Sequence, residues 1–370
     1  MPSSISSFER PIPPLPWRRL ALATTALTLV AAVAWEVHCR SMGYAPTLND
    51  TPDLWAQQRE SVLPDSIVII GDSRPHFDLD LDQLEQGLGQ RPVQLALDGS
   101  CAYPVLADLA NDENFHGTII CSLVPAMWLA PGGPLVATSE KALKRYHTWT
   151  LAQRTGHKLG MLLEEHLAFL KDGDLTLDAL IGKLSLPARP GTGYPPLPPY
   201  FNWLDRDRRA RMIDQCAQPG WLQDRIKYGW PPLFTPPPPP SYVPLEAFVA
   251  GMGKAVESRF GDTAAAVKKL RARGGKIVFV RFPFVGELKK LEDKATPRAG
   301  PWTRILKETG APGIYFEDFP ELAAFNCPEW SHLSAPDSVK FTQLLLPHLK
   351  ASLGAIPSVA SDAKPATTGQ

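Results

Sequence analysis

The sequence predicts an α/β fold built on a parallel, doubly wound sheet, entered from an apolar N-terminal helix and interrupted by a Pro-rich insertion. Three observations carry this reading. A short run of branched apolar residues, a turn and a helical stretch recur three times from Ser66 onward, the pattern of a parallel sheet. A further apolar strand run, after residue 275, follows a long helical stretch. Nearly half of the 39 prolines gather between these two parts.

Residues 1–19 begin Ser- and Pro-rich and are expected to be disordered. Leu20 to Trp35 carries no charge, and extended to Val37, which takes in Glu36, it is near the lower limit of ~17 residues for a bilayer span. Arg10, Arg18 and Arg19 precede it, which keeps that end cytoplasmic and places the rest of the chain in the periplasm or outside. An uncleaved inner-membrane anchor over 20–37 is the reading adopted. Ala32-Val33-Ala34 also fits a signal-peptidase site, which gives the same compartment. A buried soluble helix is disfavoured, since one strongly polar face is missing. Residues 38–64 read as a juxtamembrane connector with one short helix.

The main domain is expected over 65–353. Ser66 to Ile70 is a buried parallel strand that ends in Gly71-Asp72-Ser73. Leu81–Leu88 reads as helix, and Pro92 to Leu97 as a second strand closed by Asp98-Gly99-Ser100. Pro104 to Asn111 is a helix, and Gly117 to Val124 a third strand stopped by Pro125. Residues 131–244 form the insertion, helical over Ser139 to Leu170 and Pro-rich from Leu186, where regular helix and interior strand are excluded. The Arg206–Arg211 charge run within it reads as a solvated face. The insertion's aromatics, Tyr194, Tyr200, Phe201, Trp203, Trp221, Tyr228 and Trp230, are expected to supply packing, with stacking on sugar rings as the other use. The run Pro236–Pro240 reads as a stiff spacer. Leu245 to Arg273 returns to helix, Lys276 to Pro283 is the fourth strand, Pro312 to Phe316 a weaker fifth, and Pro336 to Leu353 the closing helix. Residues 354–370 read as a disordered tail.

Composition narrows the function classes. At 370 residues and 44% hydrophobic the chain holds a sizeable core, and 38 basic against 38 acidic residues leave no overall basic field for nucleic acid. Five cysteines show neither C-x-x-C nor zinc spacing; in an oxidising compartment Cys101 and Cys327 are the pair to test for a disulfide. The histidines outside the motif below show no ligand spacing, so neither metal nor cofactor is expected.

In open α/β sheets sites form beyond the carboxyl ends of the strands, which is where Ser73 falls. A serine hydroxyl needs a histidine to take its proton and an acceptor to orient that histidine. Glu329 and His332 stand three apart just before the closing helix, able to face one pocket. His332 then serves Ser73 as base, with Glu329 or its backbone holding the ring. Arg74 and His76 flank the serine, and Arg74 is a candidate contact for an anionic glycan.

In these motifs the chain resembles the SGNH (GDSL-type) hydrolase superfamily. The matches are Gly71-Asp72-Ser73 after the first strand, Gly99 after the second, and Glu329-x-x-His332-Leu333 before the last helix, spanning Asp65 to about Leu353 without the insertion. The resemblance implies a flavodoxin-like three-layer α/β/α sandwich and ester hydrolysis or acyl transfer. Ser73 is then the nucleophile, and the Ser73 and Gly99 amides form part of an oxyanion hole. Two departures bear on it. The Asn that the family carries after its third strand is missing from Leu123-Val124-Pro125-Ala126, a donor worth ~10²–10³ in rate. The usual Asp before the His is Glu329. An N-terminal membrane helix before such a domain is similar to accessory proteins of membrane-bound O-acyltransferase systems that acylate polysaccharides. Two functions are therefore expected: an anchored extracytoplasmic acyl esterase or O-acyltransferase acting on a carbohydrate ester, or a catalytically degenerate partner that binds glycan or the acyltransferase.

Overall fold

The computed structural model describes residues 15–171, 175, 201–234, 239 and 241–355. Five strands make one parallel sheet: β1 (Ile67–Ile70), β2 (Val93–Gln94), β3 (Thr118–Ser122), β4 (Lys276–Arg281) and β5 (Gly313–Tyr315). Their spatial order is 2-1-3-4-5, every pair parallel. Val68, Ile69 and Ile70, and Ile277 to Val280 in β4, are fully buried, which is why these runs do not alternate with polar residues. β2 is shorter than the expected strand over Pro92–Leu97. Its pairing still continues to the turn, because Leu95 N and Leu97 N donate to Ile69 O (2.8 Å) and Gly71 O (3.0 Å).

Helices pack in two groups. Tyr103–Asn111 and Pro301–Thr309 lie against Leu245–Arg271 on one side; Ser73–Asp78 and Leu81–Leu88 lie against the closing helix Ala335–Gly354 on the other. Right-handed crossovers in a doubly wound sheet send the helices to opposite faces in this way. The order reverses at β1, whose neighbours are β2 and β3. The crevice of such a sheet opens at that reversal, beyond the strand ends, and Ser73 begins the helix there.

The N-terminal helix runs Trp17–Ser41, 25 residues, long and apolar enough to cross a membrane. It extends past the expected end at Val37 because its last turns are bonded to the domain. Glu36 accepts from Ala168 N (3.0 Å) and Phe169 N (3.1 Å), and Arg40 donates to His166 O (3.0 Å). The stretch expected as a connector joins the core: Leu48, Leu54 and Trp55 are buried, and Trp55 Nε1 donates to Leu95 O at 2.9 Å.

Within the insertion, an antiparallel hairpin pairs Asn202–Leu204 with Ala210–Met212, and helix Trp221–Gly229 follows. The charge run at its tip is only in part a solvated face: Arg206 is exposed, but the run is pinned at its centre. Arg208 is fully buried, its guanidinium held by both Asp50 oxygens (2.7 Å each) and by Gln94 O (2.9 Å) and Ala96 O (2.8 Å). It thereby satisfies carbonyls along β2 that no further strand pairs. Arg209 bonds Asp82, and Arg206 bonds Glu165. The expectations for Tyr194, Tyr200 and most of the Pro236–Pro240 run lie outside the described residues. The suggested Cys101–Cys327 disulfide does not form. All five cysteines are free and buried, Cys101 Sγ lying against Trp128 O and Cys327 Sγ against Pro283 O.

Candidate active site

The turn after β1 is a tight, capped bend. Asp72 caps the helix Ser73–Asp78 by accepting from Arg74 N (2.9 Å), and its other oxygen accepts from Ser122 Oγ at the end of β3 (2.8 Å). A Cβ on Gly71 would lie 2.5 Å from Ser122 Cβ and 2.6 Å from Pro75 Cγ, so only glycine admits this approach. Asp72 and Arg74 are buried while Ser73 between them is partly exposed. The sequence therefore folds so that one hydroxyl emerges from an otherwise closed turn.

The loop Pro328–Leu333 meets it from the other end of the chain. Trp330 takes φ +81°, rare for an aromatic residue. The bend is held by Val285 N donating to Trp330 O (2.9 Å) and by the indole resting on Gly286, where a Cβ would sit 2.5 Å from the ring. Leu333 N donates to Asp78 Oδ1 at 2.8 Å, which ties the loop to the serine's own helix. The outcome is a continuous chain: Ser73 Oγ lies 2.7 Å from His332 Nε2, and His332 Nδ1 lies 2.9 Å from Glu329 Oε1. With Nδ1–H given to the carboxylate, Nε2 is left to accept the serine proton.

Glu329 is itself fixed. Its Oε1 also accepts from His332 N (2.6 Å) and Ser331 N (3.3 Å), and its Oε2 from Trp230 Nε1 (3.0 Å). The same indole reaches Glu329 O at 2.7 Å. Phe77 stacks on the imidazole at 4.5 Å between ring centroids, with Phe201 at 5.7 Å and Trp230 at 6.1 Å. Burial disfavours the His332 imidazolium, but the Glu329 carboxylate and its hydrogen bond outweigh this, aided by Asp78 and Asp98, and hold the group above its ordinary value. Burial also pushes the Asp78 carboxyl up to about 8, against the opposing pull of His332 and Leu333 N.

Trp230 and Phe201 come from the insertion, so part of it completes the site rather than only packing on itself. Trp221 and Tyr228 are exposed and remote from that role. Replacing Trp230 by phenylalanine keeps the apolar contact and removes both N–H bonds to Glu329. The loss of a hydrogen bond to a charged group costs about 1.5–3 kcal/mol. The expected result is a kcat on a model ester about tenfold or more lower with KM little changed, read from steady-state kinetics.

Gly99 takes φ +59° in a loop that is anchored on both sides. Ser100 Oγ donates to Leu97 O (2.8 Å), and Asp98 Oδ1 lies 2.9 Å from His76 Nδ1, one turn along the helix from Ser73. Among the described hydrogen bonds, neither the Ser73 nor the Gly99 amide donates to a protein acceptor. The His76–Asp98 pair went unread in the sequence, although the i, i+3 spacing of Ser73 and His76 was its one signal.

Arg74 does not face a ligand. It is buried, bonded to both Glu292 oxygens, and stacked over the Phe284 ring at 4.6 Å. Arg281 bonds the same carboxylate. The expectation of a glycan contact fails because this cation already balances a buried charge beneath the Gly71–Ser73 turn. Burial alone would raise the Glu292 carboxyl, but the two guanidinium groups prevail and hold it at about 2. Its unfolded value is about 4.3, so its stabilising share is complete above that pH and disappears as the pH falls towards 2. Glu292→Gln strands two buried cations and is expected to destabilise by about 3–5 kcal/mol, measured by urea unfolding at neutral pH.

Among the described residues no group of three or more His, Cys, Asp or Glu is placed to hold a metal ion. The chemistry available is that of a Ser-His-Glu triad at the carboxyl edge of a parallel sheet, with the His and Glu buried and the serine partly exposed. The chain matches no family model, no curated protein and no solved structure, so the reading of its function rests on this geometry.

Proposed function

We propose that the chain is an SGNH-type serine hydrolase or O-acyltransferase, anchored by its N-terminal helix and acting outside the cytoplasm on a carbohydrate ester. The observation that carries it is the hydrogen-bonded relay from Ser73 through His332 to Glu329. His332 Nε2 takes the Ser73 proton as Oγ attacks the acyl carbon. The negative oxygen of the tetrahedral intermediate is received by the free Ser73 and Gly99 amides. His332 then returns the proton to the leaving alkoxide, leaving an acyl-Ser73. Water completes hydrolysis by the reverse route, and a sugar hydroxyl in its place completes transfer.

A fluorophosphonate probe tests this. It is expected to label Ser73 in the folded protein, with labelling lost in His332→Ala. Absence of labelling in well-folded protein overturns it. One observation favours a second reading, a non-catalytic subunit that binds glycan or a membrane-bound O-acyltransferase. Directly after the third strand come Leu123 and Val124, both buried, with no side-chain donor for an oxyanion. Unlabelled, folded protein that co-purifies with the acyltransferase supports that reading instead.

A further inference from the structure

We infer that the helix Leu151–Glu164 lies in the membrane interface beside the anchor, with its outward leucines buried among lipid. The inference rests on the anchoring part of the function proposed above. One side of this helix is committed to the protein: Arg154 bonds Glu60, His157 Nε2 lies 3.1 Å from Gln57 Oε1, Met161 is buried, and Glu164 accepts from Asn49 N at 2.9 Å. The other side turns Leu159, Leu162 and Leu163 outward, at 59%, 52% and 55% exposed. These three share one face by their i, i+3, i+4 spacing, and a helix apolar on a face turned away from its own domain has that face matched elsewhere.

The position of the patch selects the occupant. The residues following this helix are those the anchor grips: Arg40 holds His166 O, and Glu36 holds Ala168 N and Phe169 N. Glu36 directly follows the uncharged run Leu20–Trp35, so in a spanning helix it marks the depth at which hydrocarbon gives way to headgroups. Leu163 is three residues from His166, within about 5 Å of helical rise, and Leu159 within about 10 Å. The leucines therefore sit at the depth that interfacial amphipathic helices occupy. Beside Leu162 a cleft of about 540 Å³ presents Trp149 and Lys158, residue types that suit the headgroup region. A bilayer fits this arrangement better than a second copy, because the segment directly following the patch is the one bonded to the N-terminal helix.

The test uses the full chain in vesicles of phosphatidylethanolamine and phosphatidylglycerol. Single cysteines at Leu159→Cys and Leu162→Cys carry an environment-sensitive fluorophore, the five native thiols being buried. Leu344→Cys, on the exposed side of the closing helix, is the control. The expected result is blue-shifted emission and quenching by shallow spin-labelled lipid several-fold stronger at 159 and 162 than at 344. Aqueous emission at 159 and 162 in vesicle-bound protein overturns the inference while leaving the catalytic reading intact. Emission that is blue-shifted but indifferent to spin-labelled lipid, and lost on dilution into excess lipid, shows a second copy there and also overturns it. Protein that does not partition into vesicles at all overturns the inference and the anchor together. Probe labelling of Ser73, read separately, is unaffected by either result.

Discussion

Replacing Ser73 with alanine removes ester turnover, with kcat expected to fall by about 10⁶-fold. Residues that act as one relay each cost nearly the whole of the covalent pathway when removed. His332→Ala is therefore expected to cost a similar factor, and the double variant little more than either single one. That non-additivity is the sharper measurement, since two independent binding contacts would multiply. Ser73 is partly exposed and its hydroxyl bonds only the imidazole in the described contacts, so the unfolding free energy read from urea titration is expected to move by no more than about 1 kcal/mol. A variant inactive but equally stable separates lost chemistry from lost fold. Residual turnover within tenfold of the parent would show that Ser73 is not the nucleophile.

Glu329→Gln is expected to lower kcat by about 10⁴-fold through the tautomer of His332. The native carboxylate accepts from Nδ1, leaving Nε2 bare towards Ser73. An amide in its place can donate to Nδ1, which puts the proton on Nε2 and denies the serine its base. The pH profile checks the same point. Because His332 is held above its ordinary value of about 6.5, the neutral base forms only at higher pH, and the acid limb of kcat/KM is expected above that figure. Removing the Glu329 charge lowers the imidazole, so the limb moves to lower pH while the plateau drops. A limb that stays in place would show that Glu329 does not set the charge state of the ring.

Much of the frame was legible because local rules and tertiary demand agree. Ile67–Ile70 reads as a buried strand since both its faces are covered, and Gly71 is required where Ser122 and Pro75 press on the turn. That Ser73, His332 and Glu329 meet was legible because a hydroxyl, an imidazole and a carboxylate that could act together are restricted to few residue types. Arg74 was misread for a physical reason. Its partners Glu292 and Arg281 lie on distant elements, and nothing adjacent to position 74 reveals a buried carboxylate. Arg208 was misread likewise, since a charge in a polar run gives no sign that Asp50 and two strand carbonyls await it.

The sequence by itself determined the parallel α/β frame and the apolar helix ahead of it, and it singled out Ser73, His332 and Glu329, which the fold brings together. Local hydrophobic pattern and turn chemistry suffice for those. Only the tertiary structure decided that the insertion returns to the site through Phe201 and Trp230, and that Arg74 faces inward. It also decided that the N-terminal helix is bonded to the domain at 166–169. Each of these depends on groups far apart in the chain meeting at hydrogen-bond distance, where burial of charge and directionality, rather than periodicity, select the partner.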